Sequence, residues 1–284
     1  MRLFRINEAK HYCSSFNATQ GDAENSINTF QRNRLGRQSR SFREGNILFE
    51  EYRDCSLRDV ERSLFFAASY YRRCLDLMLS SAAPWAHVTI YYGSWYASRG
   101  LLGMFGCTIF NEVVVDVNRG SPGQQELRLR VIGNRQGQQS STYHGSHRRY
   151  WDFFYTAVTP LRPMVQPNIA PALYPVSNNP VWLIQQRNTI NYDSWEGLQL
   201  SRGFQKTFSN NSFPGSLPGP LLPQFKVLES LLELSFVYAS QFGLHTDAFV
   251  NLGVSGNLRA KVSELIYNEK APGLVRKTKK STIT

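Results

Sequence analysis

Between Leu57 and Met78 the apolar residues fall at Leu57, Val60, Leu64, Ala67, Tyr71, Cys74 and Met78, in alternating steps of three and four, while Arg58, Arg62, Arg72 and Asp76 take the other side. Such steps put every apolar side chain on one stripe of a 3.6-residue helix, so the segment is a long amphipathic helix whose stripe needs a partner. Ser56 with Asp59 three residues later has the spacing of a reciprocal cap, which places the predicted start at Ser56 and the end near Leu79. Pro84 suits the first turn of a second helix, running to about Phe105, that is apolar nearly all round through Trp85, Val88, Tyr91, Tyr92, Trp95, Leu102 and Phe105. The two form a helical hairpin. Arg99, the one charge inside the second helix, reads as a paired or snorkelling structural residue.

From Thr108 the period becomes two: Val113, Val115 and Val117 alternate with Val114 and Asp116, a turn follows at Arg119-Gly120-Ser121-Pro122-Gly123, and Leu127, Leu129 and Val131 alternate again. This predicts a β-hairpin inserted at about 108–133, with Arg128 and Arg130 on one face as a phosphate-facing edge or the wet side of the ribbon. A polar loop precedes an aromatic helix, His147 to Val158, and six prolines from Pro160 to Pro180 mark an extended crossing. Asn179-Pro180 opens the helix VWLIQQRNTINY, and a Gly/Pro-rich stretch from Ser194 to Pro223 precedes a helical stripe from Phe225 to Phe242. A final helical segment spans about Asp247 to Tyr267. The fold class is therefore mainly α: a helical bundle with an inserted β-hairpin and long Pro/Gly-rich loops. Its expected divisions are a polar arginine-rich segment over 1–55, the helical domain over 56–270 and a basic tail over 271–284.

Charge points to the partner. With 32 Lys plus Arg against 21 Asp plus Glu the chain of 284 residues carries +11, and only 8 of the 32 cations are Lys. Arginine's planar fork grips phosphate with two hydrogen bonds, so nucleic acid leads among anionic partners, RNA ahead of DNA. Arg32, Arg34, Arg37, Arg40 and Arg43 fall in twelve residues with no acid between, either an arginine-rich arm for nucleic acid or a solvated surface segment. With few apolar anchors, residues 1–43 read as an arm whose removal leaves the melting temperature little changed.

Other classes are excluded or given no support. Cys13, Cys55, Cys74 and Cys107 lack the C-x-x-C spacing of a zinc knuckle and do not form a disulfide framework, and neither G-x-G-x-x-G, a P-loop nor G-x-S-x-G occurs. No cofactor and no metal are expected. The start MRLFRINEAKHYC lacks a continuous apolar core, and the charge-free stretch from Ser80 to Ser98 is interrupted by Pro84 and Gly93, so a cytoplasmic protein without a membrane span is expected.

Two clusters could carry chemistry. Arg187 lies four residues after Leu183 and three before Ile190, so its guanidinium shares a side with apolar residues, with Asn188 beside it and Asn191 one turn on. It either faces an anionic oxygen or joins helices through a carboxylate such as Glu229 or Glu233. Tyr143-His144-Gly145-Ser146-His147-Arg148-Arg149 collects two imidazoles, hydroxyls and two cations, suited to proton transfer at a phosphate or to a wet surface.

With FFAASYYRRCLDLML in the long amphipathic helix, WYASRGLL in the aromatic second helix and RN-x-x-x-Y-D in a later one, the chain resembles the HEPN superfamily of helical-bundle proteins, many of them ribonucleases of prokaryotic defence and toxin systems. The resemblance covers 57–105 and 180–242, roughly half the chain. It implies metal-independent RNA cleavage in active members, with Arg holding the scissile phosphate and His moving a proton, and often a dimer built from two facing helices. The family motif is Arg, a polar residue, three variable positions and His; Arg187 and Asn188 match the first two, and Tyr192 stands in the His position. A phenol with pKa ~10 is a poor base at neutral pH. The substitution implies a catalytically altered member, with His144 or His147 compensating, or a binding subunit that meets a protein partner in a defence complex.

Affinity for nucleic acid is expected to fall steeply with salt, about a thousandfold between ~50 and ~200 mM if some six phosphates are gripped. An isotherm that stays flat across that range removes the electrostatic argument.

Overall fold

The computed structural model describes residues 2–16, 27–35, 40–79, 82–110, 113–131, 146–158, 179, 182–192 and 222–244. Residues 1–244 cluster as one compact unit, and 245–284, which include the predicted last helix and the basic tail, lie outside the described residues.

Seven α-helices and four strands are described. In chain order they are α1 (Ile6–Ser14), α2 (Ile27–Phe30) running into a π-helical turn at Gln31–Leu35, β1 (Arg40–Arg43), α3 (Ile47–Leu79), α4 (Ala83–Met104), β2 (Thr108–Phe110), β3 (Val113–Arg119), β4 (Glu126–Val131), α5 (Ser146–Val158), α6 (Trp182–Tyr192) and α7 (Leu222–Gln241). The molecule is mainly helical with a small antiparallel sheet, and none of the described helices is long and apolar enough to cross a membrane.

α4 is the axis of the bundle. α3, α5, α6 and α7 lie against it, and α1 touches its C-terminal end. The α3–α4 pair is close because α4 offers glycine where α3 approaches: a Cβ on Gly103 would fall 2.5 Å from Val60 Cγ2. On the opposite side Ser235 of α7 donates to Leu231 O at 2.7 Å and lies 3.3 Å from Ala97 O, while Phe105 meets Tyr238 and Phe242 edge-on. His87 on α4 is buried, with Nδ1 2.5 Å from Gln224 Oε1 of α7; Gln224 in turn donates to Gln186 Oε1 of α6 at 3.2 Å. Arg99 pairs with Asp59 at 2.7 Å under the rings of Trp95 and Phe110, so it is the paired structural residue that its position suggested.

Three expectations are corrected. α3 begins at Ile47, nine residues before Ser56: Asn46 caps it, its Oδ1 accepting the Leu48 N–H at 2.9 Å. Ser56 is buried in the helix interior and Asp59 serves Arg99 rather than a cap. The hairpin at 108–133 is larger than predicted, a four-stranded sheet in the order β1-β4-β3-β2, with Ser41 opposite Arg128, Asp116 opposite Arg128 and Val114 opposite Ile109. Its inner face carries Phe42, Val115, Val117, Leu127 and Leu129, all buried.

The third correction concerns residues 1–43, which are not a detachable arm. β1 comes from the arginine-rich run, and Arg2 and Phe4 bond to Val117 and Phe105 through the backbone. Phe4, Tyr12, Phe30, Phe42, Phe49 and Tyr52 form one aromatic cluster between α1, β1 and α3. Gly106, at φ +74°, abuts the Phe4 ring, which a Cβ there would strike at 2.4 Å.

Removing residues 1–43 is therefore expected to lower the melting temperature sharply, and Phe4→Ala or Phe42→Ala alone to cost about 3–5 kcal/mol. Thermal and urea unfolding check this; a truncated chain that melts like the full one would place those rings outside the core.

Candidate nucleic-acid interface

α6 is anchored by burying Leu183 and Ile184 against the bundle, while Gln185 and Thr189 stay exposed. Arg187, one turn past Leu183, lays its guanidinium over the Tyr91 ring of α4 at 4.7 Å from the centroid. Nε and Nη2 donate to Asn188 Oδ1 at 3.1 and 2.8 Å. Among the described residues no carboxylate comes within ion-pair distance of Arg187; Glu229 accepts the Tyr71 hydroxyl at 3.1 Å, and the side chain of Glu233 lies outside the described residues. The cation thus rests on a π-face and a neutral amide, neither of which carries a charge to offset its own.

α5 brings the second component. His147 Nδ1 is 2.7 Å from the Tyr91 hydroxyl, and its ring packs 5.3 Å from Trp95 and 5.7 Å from Tyr91. Tyr91 therefore touches both the guanidinium and the imidazole. Burial lowers the His147 pKa, and the Arg187 charge lowers it further. Burial pushes the Tyr91 phenol up to about 12, so it keeps its proton at neutral pH. With Nδ1 engaged by Tyr91, Nε2 is the nitrogen left for a ligand. It is a proton acceptor if Nδ1–H points at the phenol, and an N–H donor if the phenol proton points at Nδ1.

The structure thus brings together Arg187, Asn188 and His147, with Arg148 and Arg149 next along α5. His144 and the side chains of Asn191 and Tyr192 lie outside the described residues. Tyr91 went unsingled in sequence because a tyrosine within an apolar stripe reads as core; its signal is the hydroxyl that such a stripe must satisfy.

Five of the other arginines named from the sequence are engaged within the fold. Arg34 makes a bidentate pair with Glu51, Arg40 donates to Arg34 O at 2.6 Å, and Arg43 reaches Glu126 at 3.4 Å. Arg37 and the side chain of Arg32 lie outside the described residues. Arg128 and Arg130 share a face and converge on Asp116, a fully buried carboxylate, at 3.3 and 2.6 Å. Removing either cation undercuts a buried charge, so both are structural whatever else they touch. All four cysteines are free, and among the described residues no group of three or more His, Cys, Asp or Glu could hold a metal ion.

Compared with protein-family models, curated proteins and solved structures, the chain matches none.

Arg187→Gln is expected to raise the His147 titration midpoint toward the ordinary histidine value of ~6.5, because it removes a cation that disfavours the imidazolium. The imidazole proton resonances across a pH series report this; an unmoved midpoint would separate the two side chains.

Proposed function

We propose that the chain is a HEPN-like nucleic-acid-engaging protein of a prokaryotic defence or toxin-type system, and that Arg187 with His147 holds an RNA phosphate. The observation carrying this reading is the guanidinium on Tyr91, with no carboxylate partner among the described residues, beside an imidazole held by the same phenol. A guanidinium whose fork no described carboxylate closes suits a phosphate oxygen, and a neutral imidazole on the same tyrosine suits the ribose hydroxyl next to it.

As a metal-independent ribonuclease, the site works with Arg187 and Asn188 on the scissile phosphate and His147 as base. The 2′-oxygen bonds to phosphorus as its proton passes to Nε2, and the 5′-oxygen departs, taking a proton from Tyr192 or water. His144 and the Arg148–Arg149 pair supply further contacts to the chain. The second reading is a non-catalytic binding subunit of a larger complex, and Tyr192 at the motif's His position favours it.

Arg187→Ala, with the helical circular dichroism unchanged, is expected to abolish RNA cleavage in chelator and to weaken RNA binding at least tenfold. If wild-type protein leaves RNA intact but binds it in an Arg187-dependent way, the subunit reading stands. If neither cleavage nor binding depends on Arg187, both fall.

A further inference from the structure

The face of α3 and α4 beside the candidate site carries aromatic rings that the core does not consume. Tyr70 of α3 sits between Tyr92 and Tyr96 of α4, stacked at 6.0 Å and 27° on one side and 5.7 Å and 13° on the other. Tyr96 then meets Phe66 at 5.1 Å, and Tyr92 meets the His147 ring at 6.5 Å. The inner rings use their faces on one another and are only half-buried. The outer platforms are open: Phe66 is 44% exposed, and Trp85, on the same α4 stripe seven residues before Tyr92, is 66% exposed.

Cations flank the row. Arg62 and Arg73 share the α3 stripe with Phe66 and Tyr70, at steps of four, four and three; Arg73 is 79% exposed and touches Asp76 only at 3.9 Å. Among the described residues no carboxylate pairs with Arg62. At the other end the row runs through His147 to the Tyr91-mounted Arg187. Open rings set in a cationic frame are what unpaired bases require, since every base has a π-face and every nucleotide a phosphate. A protein-binding core is by contrast depleted of charge. From Trp85 to Tyr96 the helix rises about 16 Å, the span of about five stacked nucleotides at ~3.4 Å each.

We propose that this α3–α4 face is a base-stacking platform for single-stranded RNA, with Phe66 and Trp85 receiving bases, the Tyr70, Tyr92 and Tyr96 hydroxyls meeting base edges, and the strand leading into the Arg187–His147 site. The proposal rests on the phosphate-binding reading above and adds that the ligand is unpaired and read through its bases.

The test uses the full-length protein and three fluorescent ligands: a twelve-nucleotide uridine oligomer, the same chain without bases, and a twelve-base-pair RNA duplex. Wild type is expected to favour the oligomer over both others by about tenfold or more. Phe66→Ala and Trp85→Ala, both at exposed positions, are expected to lower its affinity to the abasic level while leaving abasic binding unchanged, and Phe66→Tyr to restore it. Equal, Arg187-dependent binding of oligomer and abasic chain overturns the platform and leaves the phosphate site standing. Preference for the duplex also overturns the platform. Absence of binding to all three overturns both. A dimer that Trp85→Ala or Phe66→Ala dissociates, with oligomer affinity unchanged, overturns the platform in favour of a second copy of this chain.

Discussion

A helix with one charge in twenty-two residues cannot stand with water on every side, and α4 is such a helix. Everything around it follows from covering that surface. α3 closes on it over glycine, α7 and α6 lie against it, and α5 lays Tyr150 and Trp151 over its middle, where the Tyr150 hydroxyl bonds Ser98 Oγ at 2.7 Å. Three polar side chains of α4 are answered from three different neighbours: Arg99 from α3, Ser98 from α5, His87 Nδ1 from α7. These pairings fix which helix occupies which side, because an unanswered polar group inside the bundle is costly.

A net charge of +11 overstates what is available for a ligand. Arg53 lies buried between Glu50 and Asp54, Arg34 is closed by Glu51, Arg99 by Asp59, and two strand arginines share Asp116. Among the described residues the cations outside these pairs include Arg62 of α3, Arg148 and Arg149 of α5 and Arg187 of α6, together with Lys10 of α1, Arg119 of β3 and Lys226 of α7. What a ligand could meet is set by these unpaired cations rather than by the total.

How much of this was legible depended on period. α4, α5, α6 and α7 were found with ends within a few residues, because a stripe of apolar side chains survives translation from sequence to helix unchanged. The first nine residues of α3 were missed because Glu50, Glu51, Arg53 and Asp54 mask Phe49 and Tyr52, and because Ser56 with Asp59 imitates a cap in the middle of a helix. The N-terminal segment was misjudged for a related reason. Phe4, Tyr12, Phe30 and Phe42 are separated by polar runs, and only the pairing of β1 with β4 assembles them. For the candidate site, Arg187 and His147 could each be named from local pattern. That Tyr91 would join them could not, since it depends on α5 and α6 flanking the same turn of α4.

The buried chain from His87 through Gln224 to Gln186 ties three helices together with neutral groups, and it makes the bundle sensitive to acid. Burial holds the His87 imidazole down to about 4, so the unfolded chain takes up a proton there well before the folded one. Stability is accordingly whole above the ordinary histidine pKa of ~6.5 and drains away as pH falls from there to about 4, a loss on the order of 3 kcal/mol from this ring. The seam between α4, α6 and α7 is thus a place where acidification loosens the molecule, and it includes the helix that carries Arg187.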